Sequence, residues 1–230
     1  MSFDSTRELA AERLNEALVY LNHIQTLEPS PQPQPGSLEL KIMKGLFIVH
    51  LYGALEKITT EALQLLLRKI SSIQPKNSDV ALPFNVISMS NKWKSVKDMG
   101  YKDIFPRMTE FFLSIESQNF HGIEETLFAE RLQNIWAKTF EDVLGALGMT
   151  NGEFSLTTSE KALIDELVNK RNAVAHGRES AASVGEKYQC GELRKKLTDI
   201  GTLANKFIDQ LDLYFQNRGF IQPTLRAGYL

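Results

Sequence analysis

Along most of the chain, apolar residues return at intervals of three and four, the spacing of an amphipathic helix. No stretch alternates apolar and polar residues as a half-buried strand would. Ser5 with Glu8 three residues later reads as a capping box that opens a first helix, TRELAAERLNEALVYLNHIQTL. The next ten residues, EPSPQPQPGS, hold four of the chain's eight prolines and predict a stiff, extended linker. Over 38–71 the pattern is helical again, and its first half is apolar nearly all round, which predicts a helix at the centre of the core. Residues 74–122 carry the weakest pattern: PKNSDVALPFNV reads as loop, with two shorter helices over 90–99 and 103–116. One continuous amphipathic helix is predicted over 123–148, IEETLFAERLQNIWAKTFEDVLGALG. A helix opened by a Thr157–Glu160 capping box, a Gly/Ser-rich loop and a last helix over 191–217 complete the chain. These elements predict an all-α fold, a helical bundle in a single domain. Within it we distinguish an N-terminal helix (1–27), the proline-rich linker (28–37), a core (38–218) and a tail (219–230).

Composition narrows the function classes. Of 230 residues 43% are hydrophobic, 13 of them Phe, enough for a sizeable core, and 23% are charged, the usual fraction for a soluble protein. The net charge of −2 does not by itself point to a polyanionic partner. A single cysteine, Cys190, excludes an internal disulfide and fits a reducing cytosol, so a cytoplasmic location is expected. The charged start MSFDSTRELAAERL lacks the apolar stretch of a signal peptide, and GLFIVHLYGAL is too short for a membrane span, so no membrane association is expected. With four histidines and no HExxH or CxxC spacing, neither metal nor cofactor is expected; Walker A, GxGxxG and GxSxG motifs are also missing.

One helix breaks its own pattern. In the segment containing ELVNKRNAVAHG, residues Leu163, Ile164, Leu167, Val168, Val174 and Ala175 fall within an arc of about 140° on a helical wheel. Arg171 lands between Leu167 and Ile164, inside that arc. A guanidinium is always charged, so it must be paired or face a cleft. The plain reading of the rest is structural: Gly177 is a helix stop, His176 a cation at a helix C-terminus, and Glu166 with Lys170 an i,i+4 pair. Arg171 and His176 point about 140° apart on an ideal helix. Either the last turn loosens, or a second copy of the helix completes the group. In a two-fold dimer the apolar residues beside Arg171, Ile164 and Val168, would meet their own copies or neighbours. Between 170 and 196 the chain carries Lys170, Arg171, Arg178, Lys187, Arg194, Lys195 and Lys196 against three glutamates. Such a region suits a polyanion such as RNA, with a solvated helix start as the alternative.

The stretch ELVNKRNAVAHG resembles the motif of the HEPN superfamily, whose ribonuclease members carry Arg, a polar residue, three variable residues and His. Arg171, Asn172 and His176 match it, and Glu166, Lys170 and Arg171 match an E-x3-K-R run found in some members. The preceding helices, including LKIMKGLFIVHLYGALEKI and AERLQNIWAKTFEDVLGALG, are similar in layout to RiboL-PSP-type HEPN toxins of prokaryotic defence and toxin–antitoxin loci. The likeness covers residues 38–218. Toxins of this superfamily that are silenced by nucleotidylation carry Tyr two residues after the His; here that residue is Arg178, so that regulation is not implied.

The resemblance implies a metal-independent endoribonuclease, a homodimer serving as toxin or effector of a toxin–antitoxin or antiviral system, with an antitoxin or regulatory protein as a possible partner. RNA brings its own nucleophile, the 2′-hydroxyl, so the site needs a base, an acid and positive charge at the phosphorus. His176 would be acid or base, Arg171 would hold the non-bridging oxygens, and Asn172 would orient the imidazole or hold the phosphate. Glu166 would position Arg171 or Lys170; Arg178, Lys187, Arg194, Lys195 and Lys196 are RNA-binding candidates. Tyr52 and Glu56, one turn apart, could line the same groove, but a buried Tyr with a surface Glu is the preferred account. Trp93, Tyr101 and Phe105, interleaved with Lys92, Lys94, Lys97, Lys102 and Arg107, could stack bases, but core aromatics beside a wet lysine face are the preferred reading. His23, His50 and His121 suggest no partners. The rival from a different class is a non-catalytic HEPN-like module that binds RNA or protein and keeps the motif for structure.

Overall fold

A computed structural model describes residues 2–28, 36–97, 103–129, 131–149 and 154–229. Among them the regular structure is helical, in the order α1 (Asp4–Thr26), α2 (Leu38–Ile73), α3 (Asn85–Ser88), α4 (Ser90–Lys97), α5 (Ile104–Ile115), α6 (Ala137–Leu147), α7 (Thr158–Ala175), α8 (Ala181–Gly185) and α9 (Cys190–Gln216). The extended backbone pairing among these residues amounts to one isolated bridge, Val80 to Ile221. The fold is all-α, as the periodicity predicts. Most of the proline-rich linker, residues 29–35, lies outside the described residues, as does 98–102 between α4 and α5.

Helix α2 is the axis of the bundle. Phe47, Ile48, Leu51, Leu55, Ile58, Ala62, Leu66 and Ile70 are buried along it, and α1, α7, α8 and α9 pack around them. Its first half is less enclosed than its composition suggests. Leu38, Ile42 and Leu46 are exposed and Val49 is half-buried, all within an arc of about 80° that continues through Gly53 to Glu56. Helix α1 starts at Asp4, directly after the buried Phe3, rather than behind a Ser5 cap; the N–H groups of Thr6 and Arg7 already donate to the Phe3 carbonyl. It is docked to α9 by Arg7, which pairs with Asp209 (2.9 Å) and Asp212 (3.0 Å), and by Arg194, which donates to Asn22 and Gln25. The tail is not peripheral either. Phe220 and Ile221 are fully buried, and the Ala81 N–H donates to the Phe220 carbonyl at 2.8 Å.

Two further departures from the sequence pattern matter for the site. The amphipathic run 123–148 is not one helix: only Ala137–Leu147 is α-helical, and upstream lie turns and a 3₁₀ turn, Arg131–Gln133. Tertiary hydrogen bonds outcompete the local preference. The Tyr52 hydroxyl accepts from the Ile135 N–H at 2.8 Å and donates to the Gln133 carbonyl, and Asp165 of α7 accepts from the Ala137 N–H at 2.8 Å, capping α6 from outside. The Gly/Ser-rich stretch after α7, in turn, contains α8, which Ser180 caps by accepting from the Ser183 N–H.

Helix α8 lies on α2 backbone to backbone. A β-carbon on Gly45 would sit 1.9 Å from the Ala181 carbonyl oxygen, and one on Gly185 would sit 1.9 Å from the Lys41 carbonyl oxygen. Backbone cannot step aside as a side chain does, so each methyl must separate the two helices. Gly45→Ala and Gly185→Ala are each expected to destabilise the fold by about 2–3 kcal/mol or more, read as a fall in the urea midpoint. Gly53→Ala on the same helix, where nothing stands within 4 Å, is the control and should not destabilise.

Candidate active site

Helix α7 is built as its ends predict. Thr157 accepts from the Glu160 N–H while the Glu160 carboxylate accepts from the Thr157 N–H, the complete capping box. At the other end Gly177 adopts φ +67°, and the Arg178 N–H donates to the Ala173 carbonyl at 2.8 Å while that of Gly177 donates to Val174, a Schellman closure. His176 sits at the C-cap, its N–H still donating to the Asn172 carbonyl at 3.1 Å. The last turn therefore does not loosen before His176, and Arg171 and His176 stay on different faces.

The apolar stripe divides at Arg171. Leu163, Ile164, Leu167 and Val168 are buried in the core, whereas Val174 is half-buried and Ala175 exposed. Ile164 and Val168 are thus fully enclosed by their own chain, so they cannot meet a second copy. Arg171 stands at the boundary, its side chain 26% exposed. Its guanidinium carbon lies 5.0 Å from the centre of the Tyr52 ring. Its Nη1 donates to Oδ1 of Asn172 (2.8 Å) and Oδ1 of Asn134 (3.2 Å), and its Nη2 lies 3.6 Å from Oε2 of Glu56. The arginine is held at the surface by a stacked ring, one carboxylate and two amides. Tyr52 is buried and Glu56 half-buried, and both contact Arg171. Burial pushes the Tyr52 phenol up to about 12, against the opposing Ile135 N–H and with the help of the Glu56 charge, so it stays protonated.

The remaining motif residues do other work. Glu166 does not reach Arg171; its carboxylate accepts from the Tyr188 hydroxyl and from Lys196, each at 2.6 Å. Burial would raise the Glu166 carboxyl, but these two donors outweigh it and hold it below the ordinary carboxylate range. Lys170 pairs with Glu179 (3.2 Å), which also takes Lys187 (2.5 Å), fixing the turn after His176. The basic run does not form one free surface. Lys195 pairs with Asp199 at 2.7 Å, Lys196 with Glu166, and Arg194 turns to α1. Among the described residues, Arg178 and His176 are exposed and no side-chain partner is seen for either.

Elsewhere, Trp93 and Phe105 are exposed rather than core, with Phe112 and Leu113 beside them; Tyr101 and Lys102 lie outside the described residues. Lys94 pairs with Glu124 and Arg107 with Glu110. The Cys190 thiol is pushed up to about 12 by burial and by the Glu28 carboxylate, and so is no thiolate nucleophile. Of the histidines without predicted partners, His50 meets Tyr20 edge-on and His121 lies 3.3 Å from the Ser114 carbonyl, while His23 is exposed. Among the described residues no group of three or more His, Cys, Asp or Glu is placed to hold a metal ion, and no helix is long and apolar enough to cross a membrane.

The all-α bundle thus carries Arg171 and Asn172 in a polar clamp and His176 exposed at the end of the same helix. The chain is matched over residues 9–213 by the family model RiboL-PSP-HEPN, and it belongs to that family and thereby to the HEPN superfamily. The match starts inside α1, upstream of the likeness read over 38–218. No curated protein and no solved structure matches the chain.

Proposed function

We propose that this protein is a metal-independent endoribonuclease, acting as a homodimer and serving as toxin or effector of a prokaryotic toxin–antitoxin or antiviral system. The observation that carries the reading is Arg171: a cation on an apolar stripe, held half-exposed by Tyr52, Glu56, Asn134 and Asn172. In the reaction a base removes the 2′-hydroxyl proton, O2′ bonds to phosphorus, the P–O5′ bond breaks, and an acid protonates O5′. His176 supplies one of these groups and the partner's copy of it the other, Arg171 and Asn172 bind the non-bridging oxygens, and Arg178 beside the histidine contacts the RNA backbone. Glu166 and Lys170 act at one remove, fixing α7 to α9 and the turn after His176.

The dimer reading draws support from the uncovered apolar strip of α2, Leu38, Ile42 and Leu46, which runs toward Glu56 and so toward Arg171. It replaces the Ile164 and Val168 contact, which burial excludes. Cleavage is expected to persist in excess EDTA and to leave 2′,3′-cyclic phosphate and 5′-hydroxyl ends, mapped on a labelled oligoribonucleotide. Strict magnesium dependence, or cleavage of DNA, would reject this chemistry.

One observation favours the rival, a non-catalytic binding module. Helix α5 keeps most of its apolar face uncovered, with Phe105, Phe112 and Leu113 exposed, a surface that suits docking of a protein partner and that RNA cleavage does not call for. The two readings separate on whether the wild-type protein cuts RNA.

A further inference from the structure

The 131–136 segment forms a 3₁₀ turn and an extended stretch in place of α-helix, and what that delivers to α7 is Asn134. Its Oδ1 accepts from Nη1 of Arg171 at 3.2 Å, and the same nitrogen donates to Oδ1 of Asn172 at 2.8 Å. A guanidinium has donors only, so in both amides the oxygen must face it. The amide NH2 of each asparagine is therefore directed away from Arg171. Asn134 is exposed, and Asn172 is partly so. Glu56, 3.6 Å from Nη2, is a charge partner at longer than hydrogen-bonding distance, so guanidinium N–H groups remain for an incoming anion. The result is a cation flanked by two amides with their donors turned outward, a layout that suits the oxygens of a phosphodiester.

Its placement is backed from beneath. The Tyr52 hydroxyl holds the Ile135 N–H and the Gln133 carbonyl, the backbone on both sides of Asn134, while the face of the same ring carries the guanidinium. One side chain thus sets the position of both Arg171 and Asn134. We infer that Asn134 is a substrate-binding residue: its amide donates to a non-bridging oxygen of the scissile phosphate, beside Arg171 and Asn172, with Tyr52 as the positioning residue for the group. This rests on the ribonuclease reading and adds to it a residue that lies far from the motif in sequence.

The alternative role for Asn134 is only to steady Arg171, and two variants separate the roles. Asn134→Asp keeps an oxygen toward the guanidinium, and a better one, but loses the donor and adds negative charge. Asn134→Ala loses both. If Asn134 binds phosphate, both variants lower the single-turnover cleavage rate about 10- to 100-fold, with Asp at least as impaired as Ala. If it only steadies Arg171, Asp, which keeps the oxygen toward the guanidinium, retains clearly more activity than Ala despite its added charge, and the inference is overturned. A second arm does not depend on cleavage: titration with an oligoribonucleotide carrying a 2′-deoxy residue at the cut site, or a uniformly 2′-deoxy strand if no cut site exists. Both variants should bind it several-fold more weakly, with thermal midpoints unchanged. Wild type and Arg171→Ala run beside them. An inactive wild type rejects the ribonuclease reading while the binding arm still decides for or against Asn134. An active wild type, a dead Arg171→Ala and unimpaired Asn134 variants reject this inference alone.

Discussion

His176→Ala and Arg171→Ala are each expected to reduce single-turnover RNA cleavage by about 10³-fold or more while leaving the fold intact. General acid–base catalysis and charge stabilisation at the phosphorus each contribute factors of this order. Neither residue is a structural keystone. His176 is exposed at a C-cap and makes its helix contact through backbone, so its side chain can be removed with a stability change within about 0.5 kcal/mol. Arg171 loses its stacking on Tyr52, its hydrogen bonds to Asn134 and Asn172 and a long contact with Glu56, at a part-exposed position where the freed amides can turn to water, so a cost of about 1–2 kcal/mol is expected, too little to unfold the domain. Arg171→Lys should not rescue activity, because an ammonium cannot bridge two amides and a phosphate in the same plane. Circular dichroism and sedimentation run on the same samples check the fold and assembly. Unfolding of both variants, together with a wild type that does not cut RNA, would favour the non-catalytic reading.

The parts of the fold that were legible in the sequence are those governed by local chemistry. The Thr157–Glu160 box and Gly177 fix both ends of α7, and the long apolar runs fix α2 and α9 to within a few residues. The misplaced Arg171 was legible too, as a conflict between helical period and charge. What sequence could not reveal is carried by contacts between distant segments. Asp165 lies on the polar arc of α7 and looks solvated, yet it caps α6. The run 123–136 has a helical period, yet Tyr52 claims backbone groups of Gln133 and Ile135 and Asp165 caps the helix at Ala137, so Asn134 reaches Arg171 from a segment that reads as mid-helix. Lysines close in sequence suggested a basic surface, but acids from other turns and helices neutralise several of them. The one early signal for the clamp was the Tyr52–Glu56 spacing of one turn, which alone does not distinguish a site from a buried ring beside a surface acid.

The second large effect concerns assembly. Backbone hydrogen bonding continues regularly to His176, so one chain presents Arg171 and His176 about 140° apart and offers one motif histidine for two proton transfers. A C2 pair resolves both problems if the α2 strips of two copies meet and bring the Arg171 clamps to a common groove. Ile42→Glu with Leu46→Glu should then give folded monomers without activity, since these side chains are exposed in the single chain and do not support its core. Mixing experiments test the sharing itself. When wild type exchanges subunits with the double variant Arg171→Ala/His176→Ala, a shared site predicts activity proportional to the square of the wild-type fraction. At equal amounts about one quarter remains, whereas independent protomers would leave about one half. Mixing the two single variants then reads the arrangement. Recovery to about one quarter of wild type means that Arg171 of one copy works with the partner's His176, and no recovery beside a quadratic titration means that both histidines serve one central phosphate. A linear titration, or sedimentation of a fully active monomer, would reject the shared site and return both proton transfers to groups within one chain.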